Sequence, residues 1–124
     1  MEELASNELQ FLVALLASEE SEVNELKTEF DARGVEGEKV QVVLSGLISD
    51  GTIGVTKYQN EEFHDYEKNE SLSLVKNWED FVLTQLQIFL TDEGYKRWEI
   101  DDWGITTKRA VSLMFSNQGN SIRV

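Results

Sequence analysis

Between Asn60 and Glu70 the chain reads NEEFHDYEKNE, where the carboxylates of Glu61, Glu62, Asp65, Glu67 and Glu70 are interleaved with the rings of Phe63 and Tyr66. Lys68 alone opposes them, so the stretch carries a charge of −4. Rings flanked by carboxylates suit a protein interface, the rings acting as anchors and the carboxylates pairing with Arg or Lys. The competing reading is that both rings fold back and pin the segment to the body. Glu36 and Glu38 form a second acidic patch and join the candidate partner-binding residues.

Other chemistries find little to work with. Cysteine is absent and His64 is the one histidine, so no thiol–imidazole pair exists to make a nucleophile. Gly34, Gly37, Gly46, Gly51 and Gly54 are scattered at turns and helix ends and match no phosphate-cradling loop. Glu61, Glu62 and Asp65 lack the glycine and ligand spacing of a calcium loop. The expectation is a protein that is not an enzyme, with no catalytic, cofactor-binding or metal-binding residue and no cofactor.

The elements that must position these residues follow from periodicity. Leu9, Leu12, Val13 and Leu16 recur at helical spacing and predict a helix over about 7–18. Ser21 can cap a second helix over 21–33, with Val23, Leu26 and Phe30 inward and Gly34 ending it. Val40, Val43, Leu44, Leu47 and Ile48 predict a third over 37–49. Asp50-Gly51 turns the chain into a strand over 52–58, and the polar stretch 60–70 reads as a loop. Ser71–Val75 alternates like a strand, Trp78, Phe81 and Val82 fit a short helical turn, and Leu86–Leu90 reads as a strand. Thr91 caps a helix over 92–99, from which Tyr95 and Trp98 face the core. Phe11, Phe30, Phe81, Trp98 and Phe115 are expected in the core. Ala110–Phe115 reads as a buried strand, Asn117–Asn120 as a turn and Ser121–Val124 as a final strand.

The 124 residues contain no proline, no repeat and no linker, which predicts one domain over 1–124. Three helices, a strand, a loop, a strand and a helix is the order of a winged helix. The expected fold is therefore α+β: a winged-helix-like domain with three N-terminal helices, a small antiparallel sheet and a C-terminal β addition.

Charge then separates the functions this fold can serve. The net charge is −13, and no acid follows Asp102. Residues 1–103 form an acidic body of charge −16, and 104–124 a basic segment with Lys108, Arg109 and Arg123. A DNA-reading winged helix needs cations on its third helix and wing. Glu36, Glu38 and Asp50 accompany Lys39 there, and the wing is acidic, so nucleic acid and anionic membrane are not expected partners. The apolar stretch Leu9–Ala17 is too short to span a bilayer and lacks a basic lead, so a cytoplasmic protein is expected.

Leu90-Thr91-Asp92-Glu93-Gly94, followed by Trp98-Glu99 and Asp102-Trp103, resembles the LTxxG…WE…DW signature of small bacterial winged-helix-like proteins, some of them linked to toxin–immunity loci. The resemblance covers about 14 residues closely and the order of elements more widely; its LTxxG piece also follows the wing of many winged-helix regulators. It transfers no functional residue, and Thr91, Gly94 and Trp98 look structural. The long insertion between Thr56 and Leu86 and the basic C-terminal segment depart from that family. Resemblance and charge together lead to the expectation of an immunity (antitoxin-like) protein. It would neutralise a basic toxin domain, a nuclease by preference, as a monomer or weak dimer. The alternatives are a winged-helix transcription regulator, touching DNA through Lys108 and Arg109, a protein-only adaptor, or an acidic DNA-mimic inhibitor.

Overall fold

The computed structural model describes the backbone of residues 4–100 and 103–122, and the side chains of 4–100 and 103–115. Three helices open it: α1 (Ser6–Ser18), α2 (Val23–Ala32) and α3 (Gly37–Ser49). Their apolar stripes meet in one core, with Phe11, Leu12 and Val13 from α1, Leu26 and Phe30 from α2, and Leu44, Leu47 and Ile48 from α3 all buried. Gly34, at φ 74°, ends α2 in the left-handed conformation that glycine adopts most easily. Ser21 does not cap α2. The N-cap is Glu22, and the buried Ser21 instead lends its carbonyl to Ile88 N–H at 3.1 Å.

The sheet has three antiparallel strands, β1 (Ile53–Gln59), β2 (Glu62–Asp65) and β3 (Gln87–Leu90), in the order β2-β1-β3. Beyond β3, Glu22 bridges Gln87, so the segment between α1 and α2 closes that edge. The fold is α+β, and this pairing is the winged-helix one: a short bridge after α1, then α2 and α3, then the two wing strands β1 and β3. Ile53, Val55, Ile88 and Leu90 alternate onto the face that covers the helices and are buried there.

Residues 60–70 do not form a loop. They contain a two-residue turn, β2 and the start of α4 (Lys68–Lys76). The alternation of Ser71–Val75 belongs to α4 and not to a strand. Ser71 and Val75, one helical turn apart, are buried, while Leu72 and Leu74 pack on the core from either side of the helix. Helix spacing prevails because Glu70 reaches back to the Glu67 N–H at 3.2 Å, the reciprocal contact that starts a helix. Helix α5 (Trp78–Phe81) follows as expected and buries Phe81.

Helix α6 (Asp92–Glu99) shows what the LTxxG residues do. Thr91 Oγ1 accepts the Gly94 N–H at 3.1 Å, capping the helix, and donates to the Gly51 carbonyl. Gly94 lies so close to the start of β1 that a Cβ there would overlap the Thr52 carbonyl oxygen. Trp98 stacks on Phe11 at 5.4 Å, and Arg97 lies 4.1 Å from the centroid of the Trp103 ring. Tyr95 is 45% exposed and does not face the core.

Among the described residues no C-terminal β addition forms. Residues 110–115, the expected turn at 117–120 and residues 121–122 all lie in α7 (Thr107–Ile122), and Arg123 and Val124 lie outside the described residues. Thr106 accepts the Arg109 N–H at 3.1 Å, a cap that sets helical spacing for the residues after it. Leu113 is then buried, and Phe115, 52% exposed, turns to solvent with Val111 and Met114. Arg33 holds this helix through the Leu113 carbonyl at 2.9 Å. Among the described residues no helix is long and apolar enough to cross a membrane.

Candidate functional site

β1 and β2 form a hairpin whose outer end stands clear of β3. The register pairs Gln59 with Glu62, leaving Asn60 and Glu61 as the turn, both at positive φ (56° and 65°). That is the type I′ pattern, which suits the twist of a hairpin and usually takes Asn-Gly. Here Glu61 occupies the position that favours glycine.

The turn fixes everything behind it. Two residues back on each strand, Tyr58 opposes Phe63. Tyr66 N–H donates to the Val55 carbonyl at 2.9 Å, which makes 55 and 66 a hydrogen-bonded pair and 58 and 63 a non-bonded one. In an antiparallel ladder the non-bonded pair is the closer one, so its side chains touch. The two rings sit 4.8 Å apart at 51° and remain 56% and 54% exposed. A ring pair this open, backed by no core, is apolar area that a partner can cover.

Carboxylates surround it. Glu61, Glu62, Asp65 and Glu67 are exposed, and none of them forms an ion pair among the described residues. Asp65 shares the face of Tyr58 and Phe63, while Glu62 and His64 share the opposite one. The exposed His64 opposes Lys57 across the strands. Among the described residues no three His, Asp or Glu side chains converge as metal ligands.

The candidate residues therefore separate by role. Glu61, Glu62, Phe63 and Asp65 gather on the hairpin. Tyr66 is half-buried against the core and anchors the segment, the outcome in which a ring folds back. Glu67 and Glu70 begin α4. Glu36 and Glu38 are exposed at the start of α3, beside a groove of about 450 Å³ floored by Leu4, Leu9, Val42 and Val43, which no hairpin residue lines. Sequence reasoning misses Tyr58; taking Asn60-Glu61 as a turn would place it opposite Phe63.

α4 packs along one side of α3, where Gln41 Nε2 donates to the Val75 and Lys76 carbonyls at 3.0 and 3.3 Å and the Trp78 indole covers Gly37, while Glu38, Val42 and Gly46 remain exposed. Arg109 is also engaged, because Glu8 Oε2 accepts its Nε–H while Glu8 Oε1 accepts the Ala5 N–H at 2.9 Å. The Arg109 hydrogen bond foremost, then that of Ala5, holds the Glu8 carboxyl below its ordinary value. No protein-family model matches the chain, and no curated protein or solved structure does either.

Proposed function

We propose that the protein acts by binding and not by catalysis, as a cytoplasmic immunity protein that captures a basic toxin domain on its β1–β2 hairpin. The observation that carries this reading is the solvent-exposed Tyr58–Phe63 pair ringed by unpaired carboxylates. A nuclease is the favoured target, since it must present a cationic groove to phosphate. Carboxylates set in that groove exclude substrate by charge and shape and speed association. Glu61 adds weight: its left-handed backbone is unfavourable by about 1–2 kcal/mol for a residue with a Cβ, yet it puts a carboxylate at the tip. The resemblance of Leu90–Gly94, Trp98-Glu99 and Trp103 to proteins linked with toxin–immunity loci points the same way. A DNA-binding regulator is disfavoured by the acids Glu36 and Glu38 at the exposed start of α3 and by the Glu8–Arg109 pair.

The test compares the native chain with a variant carrying Glu61→Lys, Glu62→Lys and Asp65→Lys, each used to capture proteins from an extract of its own host. The expected result is a basic nuclease held and inhibited by the native chain and lost by the variant, with folding unchanged because exposed charges contribute little to stability. Phe63→Ala should weaken the complex by about 1–3 kcal/mol, as removal of a buried anchor does. Unchanged affinity in the charge-reversed chain would overturn the reading.

A further inference from the structure

The free edge of β2 shows how such a partner docks. Because Tyr66 N–H points to Val55, the backbone groups of residues 62 and 64 also point to β1, and those of Phe63 and Asp65 point away from it. Among the described residues nothing pairs with the N–H or C=O of Phe63 or Asp65, and all of β2 is exposed. The opposite edge of the sheet is closed, since Ile88 N–H donates to Ser21 and Val23 N–H to Leu86.

We infer that the partner contributes an extended basic segment that adds to the three-stranded sheet as a further strand along the edge of β2. This rests on the reading that the hairpin takes a basic protein, and it specifies how. Strand addition draws affinity from main-chain hydrogen bonds and selectivity from alternate side chains. Here the neighbours of an added strand would be Phe63 and Asp65 on one face and Glu62 and His64 on the other. The segment that fits places Lys or Arg beside Glu62 and Asp65 and an apolar residue beside Phe63.

Charge selects this occupant over a second copy of the chain. Because only Phe63 and Asp65 point outward, two β2 edges can pair antiparallel only about Phe63, His64 or Asp65, which sets Glu61 against Asp65, Glu61 against Glu67 or Asp65 against itself, and like charges directly opposite destabilise a sheet. Exposed edges are commonly guarded by charge. Acids guard this one against itself while leaving it open to a basic strand.

The test titrates isotope-labelled protein with the hexapeptide Lys-Arg-Val-Val-Arg-Lys, and with the same peptide N-methylated at alternate backbone positions, which keeps charge and removes donors. The expected result is that the first peptide shifts the Phe63 and Asp65 amide resonances most and slows their exchange. The second should bind about tenfold weaker, the loss of one or two net hydrogen bonds. Asp65→Asn and Asp65→Pro both lose the charge, but only proline loses the outward N–H, which an edge position tolerates. Asp65→Pro should therefore bind the first peptide several-fold more weakly than Asp65→Asn, with the Tyr58–Phe63 ring contacts intact. Equal binding of the two peptides would overturn strand addition while leaving the acidic hairpin as the contact surface. Absence of any hairpin shift with either peptide would overturn both.

Discussion

Glu8 ties the first helix to the last, and its removal should be measurable as two separable losses. One carboxylate oxygen accepts the Ala5 N–H and caps α1; the other accepts from Arg109 on α7. A cap of this kind is worth about 1 kcal/mol. The side chains of Glu8 and Arg109 are 15% and 29% exposed, which places the pair between surface ion pairs and buried ones, so about 1 kcal/mol is assigned to it as well. Glu8→Gln keeps an oxygen for Ala5 and loses the charge, and should cost about 1 kcal/mol at pH 7; Glu8→Ala should cost about 2. The pH dependence has a definite sign. The folded carboxyl is held below its ordinary value of 4.5, so its contribution is complete above that value and disappears as pH falls through the folded one. Urea unfolding of the native chain and Glu8→Gln at a series of pH values should show a gap near neutrality that closes in acid. A gap that stays constant from neutral to acid pH, or no gap at all at pH 7, would refute the assignment.

Two glycines within helices should respond to alanine with opposite signs. Gly46 in α3 has nothing within 4 Å of the place a methyl would occupy, so Gly46→Ala should stabilise by about 0.5–1 kcal/mol. Gly94→Ala would drive its methyl into the Thr52 carbonyl and should destabilise by about 3 kcal/mol, an overpacking loss. Thermal unfolding of the pair decides it, and equal shifts would contradict the close approach of α6 to β1. Glu61→Gly should raise stability by about 1 kcal/mol by relieving the left-handed backbone. A fall in the melting temperature of that variant would show that the turn is not type I′ in solution.

The three N-terminal helices, β1, β3 and α6 were legible because each buries one face. Burial imposes a period, and the stripes of Leu9 to Leu16 and Val40 to Ile48 record it directly. The local chemistry of ends was legible too: Gly34 at the end of α2, Gly51 in the turn to β1 (φ 85°) and Thr91 on α6 act where their side chains or conformational range suggested. The acidity of the hairpin needed no structure at all.

What the sequence left undecided lies where burial is one-sided, doubled or missing. β2 is exposed on both faces, so no alternation marks it, and its turn carries glutamate where glycine is usual. α4 is wedged between α3 and the sheet and buries residues on more than one side, which turned its helical stripe into an apparent strand alternation. Among its described side chains α7 buries Leu113 alone, and the apolar residues of 110–115 fit either period until the Thr106 cap selects one. Tertiary contacts also decided the separation of Phe63 from Tyr66. Three residues apart in one acidic stretch, they look alike, but the hairpin register sets Phe63 against Tyr58 in solvent while the turn into α4 folds Tyr66 onto the core. Composition determined that this protein would present carboxylates and rings; strand pairing, which joins residues distant along the chain, decided which of them a partner can reach.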